Sequence, residues 1–184
     1  TFKVNTIGTL NILDIIKDIS YKGSAIIVTT DKVYNVTNKN YFKENDYMDV
    51  TDPYGTSKVC AELISKSYDI SFLKKKYFSI GTARAGNVLG GGDFSKYRIV
   101  PDYLKASKLK KDLKLRNPNY IRPWQYVLEP LDGYLNLAEK LYKKKIYNEN
   151  IGWNFAPKRS NCVKVIDLIK QLNKKSRNKI KILK

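Results

Sequence analysis

Two short strand-like segments constrain this chain more than any other feature. SAIIVTT at 24–30 ends in hydroxyls, and YFSIGTARAG at 77–86 leads into a glycine-rich stretch. A short continuous apolar run such as the first is the pattern of a strand buried in a parallel sheet, and the second reads as a further strand. Between them, Asp52-Pro53 offers an N-cap and a proline at the first helical position, which predicts a helix from 53 to about Leu73. Strand, helix and strand in that order predict an open α/β sheet.

The flanking segments continue the alternation. Val4, Ile7, Leu10, Leu13 and Ile16 recur at helical spacing over 4–16, as do Leu131, Tyr134, Leu135, Ala138, Leu141 and Tyr142 over 131–142. Helices are also predicted over 101–111, with lysines on one face, and over 163–172, with Val163, Ile166, Ile169 and Leu172 as the apolar stripe. Trp153–Phe155 reads as a short strand, and the tail KIKILK as a final edge strand. Residues 33–52 are polar and turn-like, and 143–152 read as a linker.

With 184 residues, 42% apolar and 12% aromatic, the chain has material for one compact domain or most of one. No apolar run approaches the length of a membrane span, and the N-terminus lacks the features of a secretory signal, so a cytoplasmic location is expected. Histidine is absent, which removes His-based triads, His general bases and His metal sites. Cys60 and Cys162 are too far apart for a thiol-pair motif and read as inert thiols in a reducing compartment; no metal is expected. The net charge of +18 points to a polyanionic partner, either nucleic acid or something smaller carrying phosphate. Lysine supplies 29 of the 35 basic residues, clustered at 74–76, 105–111, 143–145 and 174–184. That spread also fits solvated surface positions.

Four segments carry chemistry. Tyr54 and Lys58 stand one helical turn apart, and a nearby ammonium favours the phenolate form of a phenol, so the pair can act as a base on a sugar hydroxyl. Roughly two such pairs are expected by chance here, so an exposed Tyr and Lys on a helix is the plain alternative. Thr29, Thr30, Asp31, Lys32 and Tyr34 gather at a strand end, where open α/β sheets bind ligands, although ordinary turn polarity would look alike. The loop from Arg84 through Asn87 to Gly90-Gly91-Gly92-Asp93 allows close approach to the backbone, or is simply a flexible surface loop. Arg122 offers a planar fork suited to a diphosphate, beside Trp124, which is either part of that site or a core anchor.

With VNTIGTLNIL, VTTDKVY, DPYGTSKVCAE, ARAGNVLGGGDF, RNPNYIRPWQYVLEPLDGYL and WNFAP, the chain resembles the extended short-chain dehydrogenase/reductase family over nearly its whole length. Within that family it is similar to the nucleotide-sugar 4,6-dehydratases. Tyr-x-x-x-Lys marks only the superfamily, whereas Thr-Asp-Lys with RAGNVLGGGD and IRPWQYVLEPL is more specific. Lys32 stands where the dTDP-glucose type has Glu, which is the CDP-glucose pattern. Thr-Asp-Lys also occurs in UDP-N-acetylglucosamine 4,6-dehydratases, which typically lack the tyrosine kept here at 54.

The resemblance implies the second half of a doubly wound parallel, Rossmann-type sheet plus part of a smaller α/β substrate region. Residues 1–96 would belong to the NAD-binding domain and 97–184 to the nucleotide-sugar region, with 129–145 packing back on the former. The implied reaction converts CDP-glucose to CDP-4-keto-6-deoxyglucose and water with recycled NAD, in deoxysugar and lipopolysaccharide O-antigen biosynthesis. Catalytic roles fall to Thr30, Asp31, Lys32, Tyr54 and Lys58, and cofactor contacts to Asn5, Thr30, Tyr54 and Lys58. Substrate contacts fall to Asn87 and Arg122, no nucleic acid or membrane partner is expected, and homodimers or higher homo-oligomers would form, pairing through the helices at 4–18 and 53–73. The family's Gly-x-x-Gly-x-x-Gly turn does not occur in these residues, so the chain reads as a piece truncated at both ends that would bind NAD poorly alone. Another NAD-dependent dehydratase or epimerase, of the dTDP-glucose, UDP-sugar or GDP-mannose type, is the nearest alternative. A basic polyanion-binding module and an inactive remnant are the others.

Overall fold

The computed structural model describes residues 1–35, 41–74, 77–144, 146 and 151–183. Parts of the polar stretch 33–52, of the linker 143–152 and of the lysine clusters at 74–76, 143–145 and 174–184 lie outside the described residues. The chain divides into two compact units, 1–86 with 128–155, and 87–127 with 156–184.

In the first unit, β1 (Gly23–Val28), β2 (Phe78–Ala85) and β6 (Gly152–Phe155) form a parallel sheet in the order β1-β2-β6. A π-helical turn, Lys3–Ile7, runs into α1 (Gly8–Asp18), which packs on α2 (Pro53–Tyr68). Alternation along β2 sets the layers. Phe78 and Ile80 meet Leu13, Ile16 and Leu73 on one face, while Gly81 lies against Leu141 of α4 (Leu128–Tyr142) on the other. A Cβ at Gly81 would stand 2.9 Å from Leu141 and from Trp153, so only glycine admits both side chains. Leu13, Leu73 and Ile80 are essentially fully buried, and each contributes about 1.5–3 kcal/mol to the core.

The periodicity locates α1, α2 and α4 but misjudges burial at both ends of the unit. Val4 and Ile7 share the stripe with Leu13 and Ile16 yet are exposed. β1 is half-buried and its last residue, Val28, is exposed, because among the described residues β1 pairs on one edge alone.

In the second unit, β3 (Asn87–Leu89) pairs parallel with β5 (Ile121–Tyr126), which pairs antiparallel with β7 (Cys162–Lys164). β4 (Leu113–Lys114) pairs parallel with β8 (Ile182–Leu183) in the basic tail. α3 (Ile99–Lys108) and α5 (Val165–Lys175) close on Tyr103, Leu113, Leu115, Ile166 and Ile169. α5 begins at Val165, two residues later than the apolar stripe suggests, because Val163 is drawn into the pairing with Arg122. Pro123 hides β5 in the sequence; it sits opposite Cys162, where the missing N–H is tolerated next to a three-residue partner strand.

Candidate active site at the end of the parallel sheet

The polypeptide leaves β1 through Thr29 and Thr30 and turns at once into a 3-10 segment, Asp31–Val33. Thr30 caps that segment: its hydroxyl accepts from the Lys32 amide at 3.3 Å and donates to Asp31 Oδ1 at 3.2 Å. The acid and amine of the strand end are therefore held on a single short turn.

α2 begins beside it. Asp52 accepts from the amides of Tyr54 and Gly55, each at 3.0 Å, a cap of about 1 kcal/mol. Gly55 has no side chain to spare: a Cβ would sit 3.0 Å from the Lys32 carbonyl and 2.9 Å from Asp52. That close approach brings Tyr54, which is exposed, to the turn, with Lys32 Nζ 5.6 Å from its ring centroid. Lys58, one turn further on, is half-buried and donates to the Val28 carbonyl at 3.0 Å. Burial pushes its ammonium below the ordinary lysine range. Asn5 lies on the adjoining π-helical turn and donates to Ser57 Oγ at 3.0 Å, while Ser57 donates to the Tyr54 carbonyl at 2.7 Å. Thr30, Asp31, Lys32, Tyr54, Lys58 and Asn5 thus come together in the first unit.

Thr29 and Tyr34 do not join them. Both are buried and face a charged network centred on Glu62 and on Arg84, which lies within β2 rather than in the loop that follows it. Arg84 of β2 donates through Nε to both carboxylate oxygens of Glu62, at 2.8 and 2.9 Å, and its Nη2 also pairs with Glu62. Glu62 accepts from Thr29 at 2.6 Å and from Thr82 at 3.2 Å. Arg84 Nη1 donates to Tyr34 Oη and to the Glu44 carbonyl, the latter at 3.1 Å. Tyr34 in turn donates to Asn154 Oδ1 at 2.9 Å, and burial raises its phenol above the ordinary range. Burial works against the Arg84 charge, but the hydrogen bonds and field of Glu62 outweigh it and hold the guanidinium firmly protonated. Gly152 makes room: a Cβ there would stand 2.5 Å from Arg84 Nη2. Two signals were available: an arginine inside a strand otherwise free of charge, and a glutamate eight residues after Tyr54 on the same helical face.

Asn87 and Arg122 lie in the second unit, on the neighbouring strands β3 and β5, where Asn87 pairs with Trp124. Arg122 is half-buried, its guanidinium 5.2 Å from the centre of the Tyr120 ring. Trp124 is buried and donates to the Val163 carbonyl at 3.1 Å, which makes it a core anchor. Gly90, Gly91 and Gly92 are exposed, and Gly92 has φ +77°, a conformation that favours glycine. Among the described residues, no cluster of three or more Cys, Asp or Glu could hold a metal ion, and no helix is long and apolar enough to cross a membrane.

A family model described as GDP-mannose 4,6 dehydratase matches residues 1–182. The chain belongs to that family. It is 37% identical over 178 residues to the CDP-glucose 4,6-dehydratase of Salmonella typhimurium, covering 92% of this chain and 48% of that protein. The fold is similar to a solved dTDP-glucose 4,6-dehydratase of Bacillus anthracis in complex with NAD, with TM-score 0.72 and 20% identity over 99% of this chain and 56% of that one. It is also similar to RMD from Pseudomonas aeruginosa complexed with NADPH, with TM-score 0.82 and 21% identity over 100% of this chain and 61% of that one. These matches show a Rossmann-like α/β fold, in keeping with the parallel sheet and its helices. The chain spans about half the length of the curated relatives it matches.

Proposed function

We propose that the whole protein is a nucleotide-sugar 4,6-dehydratase, a hydro-lyase that converts CDP-glucose to CDP-4-keto-6-deoxyglucose and water with NAD as a recycled cofactor. The observation that carries this reading is the abutment of the Thr30–Lys32 turn with the start of α2, which puts a hydroxyl, a carboxyl, a phenol and two amines at one sheet end. The 37% identity to a CDP-glucose 4,6-dehydratase supports the choice of substrate.

The residues fit a nicotinamide cofactor. Lys58 offers a half-buried ammonium with three donors, of which the Val28 carbonyl takes one in this structure, and a ribose hydroxyl is a natural further acceptor. Asn5 would add an amide beside it. When bound, NAD supplies a reversible store for hydride.

In this reading Tyr54, as phenolate, takes the proton of the sugar 4-hydroxyl, and Lys58 favours that phenolate through its charge. Thr30 hydrogen-bonds the 4-oxygen. The 4-ketone acidifies the proton on carbon 5, so elimination across carbons 5 and 6 becomes feasible. Asp31 then gives a proton to the departing 6-hydroxyl, which leaves as water, and Lys32, once deprotonated, takes the proton from carbon 5; return of the stored hydride to carbon 6 and of a proton to carbon 5 would complete the 6-deoxy ketone. Asn87 would contact the sugar diphosphate and Arg122 the phosphates. The protein would act in the cytoplasm as a homodimer joined through α1 and α2, whose exposed Ile12, Ile15 and Leu63 would be covered there.

The test is incubation of the whole protein and NAD with CDP-glucose, dTDP-glucose, UDP-N-acetylglucosamine and GDP-mannose, with products read by mass spectrometry. Loss of one water from CDP-glucose, faster than from the others, is the expected result. Preference for another sugar nucleotide corrects the substrate, and no dehydration of any of them overturns the reading.

A further inference from the structure

The two halves of the candidate site come from elements far apart in sequence, and one buried ion pair touches both. Glu62 and Arg84 are 3% and 2% exposed. Taking two charges out of water costs more than their attraction returns unless the remaining lone pairs and N–H groups are satisfied, and an apolar pair of like volume often serves cohesion as well or better. Here the satisfaction is thorough: the acid has Thr29, Thr82 and the guanidinium, and the guanidinium has the acid, Tyr34 and the Glu44 carbonyl.

The partners are the informative part. Thr29 immediately precedes the turn that carries Thr30, Asp31 and Lys32, and Tyr34 immediately follows it. The turn is therefore tied at its start to Glu62 and at its end to Arg84. Glu62 is also a residue of α2, four positions after Lys58 and eight after Tyr54, on the same face. Asn154 of β6 receives the Tyr34 hydroxyl, and its amide donates to Glu44 Oε1 at 3.0 Å, which locks the far side.

We infer that Glu62 and Arg84, with Tyr34 as the link, are positioning residues that fix the separation between Asp31 on the turn and Tyr54 on the helix. The assignment rests on the dehydratase reading for the meaning of that separation, but not for the restraint itself. A misplacement of about 1 Å in a reacting group can cost on the order of a hundredfold in rate, so a device that holds an acid and a base in register acts on kcat more than on KM.

Two variants of the whole protein test it. Tyr34→Phe removes the hydroxyl link while keeping the ring and the ion pair; Glu62→Gln keeps the shape and removes the charge. Amide exchange without nucleotide reads the restraint, and steady-state kinetics with CDP-glucose and NAD read its consequence. In Tyr34→Phe, the backbone amides at positions 33 and 34 should exchange about tenfold faster or more than in the wild type, with β2 unchanged. Its kcat should fall by about tenfold or more with KM within about twofold. Glu62→Gln should show both effects more strongly. Unchanged exchange at the turn in Tyr34→Phe overturns the assignment, as does a rise in KM that accounts for the whole loss in kcat/KM. Should Glu62→Gln fail to fold, Tyr34→Phe decides alone. Wild-type protein that dehydrates no nucleotide sugar counts against the dehydratase reading, and the exchange result still judges the restraint.

Discussion

Lys32 and Tyr54 are 22 residues apart in the chain, and the Lys32 ammonium lies 5.6 Å from the centre of the Tyr54 ring. The contact needs both the Thr30 cap, which turns the chain sharply after β1, and the bare backbone of Gly55 against the Lys32 carbonyl. The ring and the hydroxyl of Tyr54 can be separated by mutation. Tyr54→Phe keeps the ring under the cation and should leave the thermal midpoint unchanged, while turnover falls by about a hundredfold or more. Nucleotide-sugar binding should stay nearly intact, because affinity comes mainly from the diphosphate and base. Steady-state kinetics with a binding titration check this, and near-normal turnover would remove Tyr54 from its proposed role.

Asp31 and Tyr54 are assigned to different steps, and the steps can be timed separately. Asp31→Asn retains the Oδ1 that accepts from Thr30, so the turn should survive. Elimination should slow by about a hundredfold while oxidation of the sugar is less affected. Rapid mixing would then show reduced nicotinamide absorbance rising before product forms. An absorbance change that disappears in a folded variant would assign Asp31 elsewhere.

The architecture could be read from the sequence where helical periodicity or a proline-led cap marks a helix, as at α2 and α4, and where a short strand-like run precedes a turn, as at β1 and β2. Burial was harder, because Val4 and Leu13 share one stripe and differ only in what tertiary neighbour covers them. β5 was hidden by Pro123, and β4 and β8 by being two-residue pairings that no periodicity can report. Within the site, Thr30, Asp31, Lys32, Tyr54, Lys58 and Asn5 lie together in the first unit, while Asn87 and Arg122 lie in the second. The inward turn of Thr29 and Tyr34 was not visible, because their partners Glu62 and Arg84 are supplied by distant elements, and a hydroxyl's direction is decided by such partners rather than by its neighbours in sequence.

Asp69 gives a pH dependence that is independent of any activity. It is buried at the C-terminal end of α2 and lines a cavity of about 290 Å³ with Leu73, Phe78, Ile80, Leu141 and Trp153. Burial raises its carboxyl above the ordinary value of 3.8, with Lys74 only partly offsetting the effect. Below pH 3.8 the group is protonated in folded and unfolded chains alike and carries no penalty. As pH rises from 3.8 towards the folded value the penalty builds, and above the folded value it stays constant. Asp69→Asn should therefore raise the thermal midpoint at pH 7 and have little effect at pH 3. Melting curves across that range check it; a variant less stable at pH 7 than at pH 3, relative to wild type, would reverse the sign.

Arg122 and the surface lysines divide the two meanings of a +18 charge. Arg122 is half-buried on β5, with its guanidinium against the Tyr120 ring, which limits the rotamers it must give up when it meets an anion. Lys108, Lys110 and Lys111 are exposed at the end of α3, where charge is screened over about 8 Å at physiological salt. Arg122→Ala should weaken CDP-glucose binding by about 2 kcal/mol, the scale of a charge-assisted contact to phosphate. Changing the three lysines to Gln should leave that affinity within about twofold and reduce retention on a polyanion column. The check is a pair of binding titrations on the whole protein at two salt concentrations. Loss of affinity in the lysine variant with none in Arg122→Ala would leave the proposed enzyme without its phosphate anchor and favour a polyanion-binding module, since screened surface charge would then be supplying the affinity that a dehydratase must draw from a shaped diphosphate site.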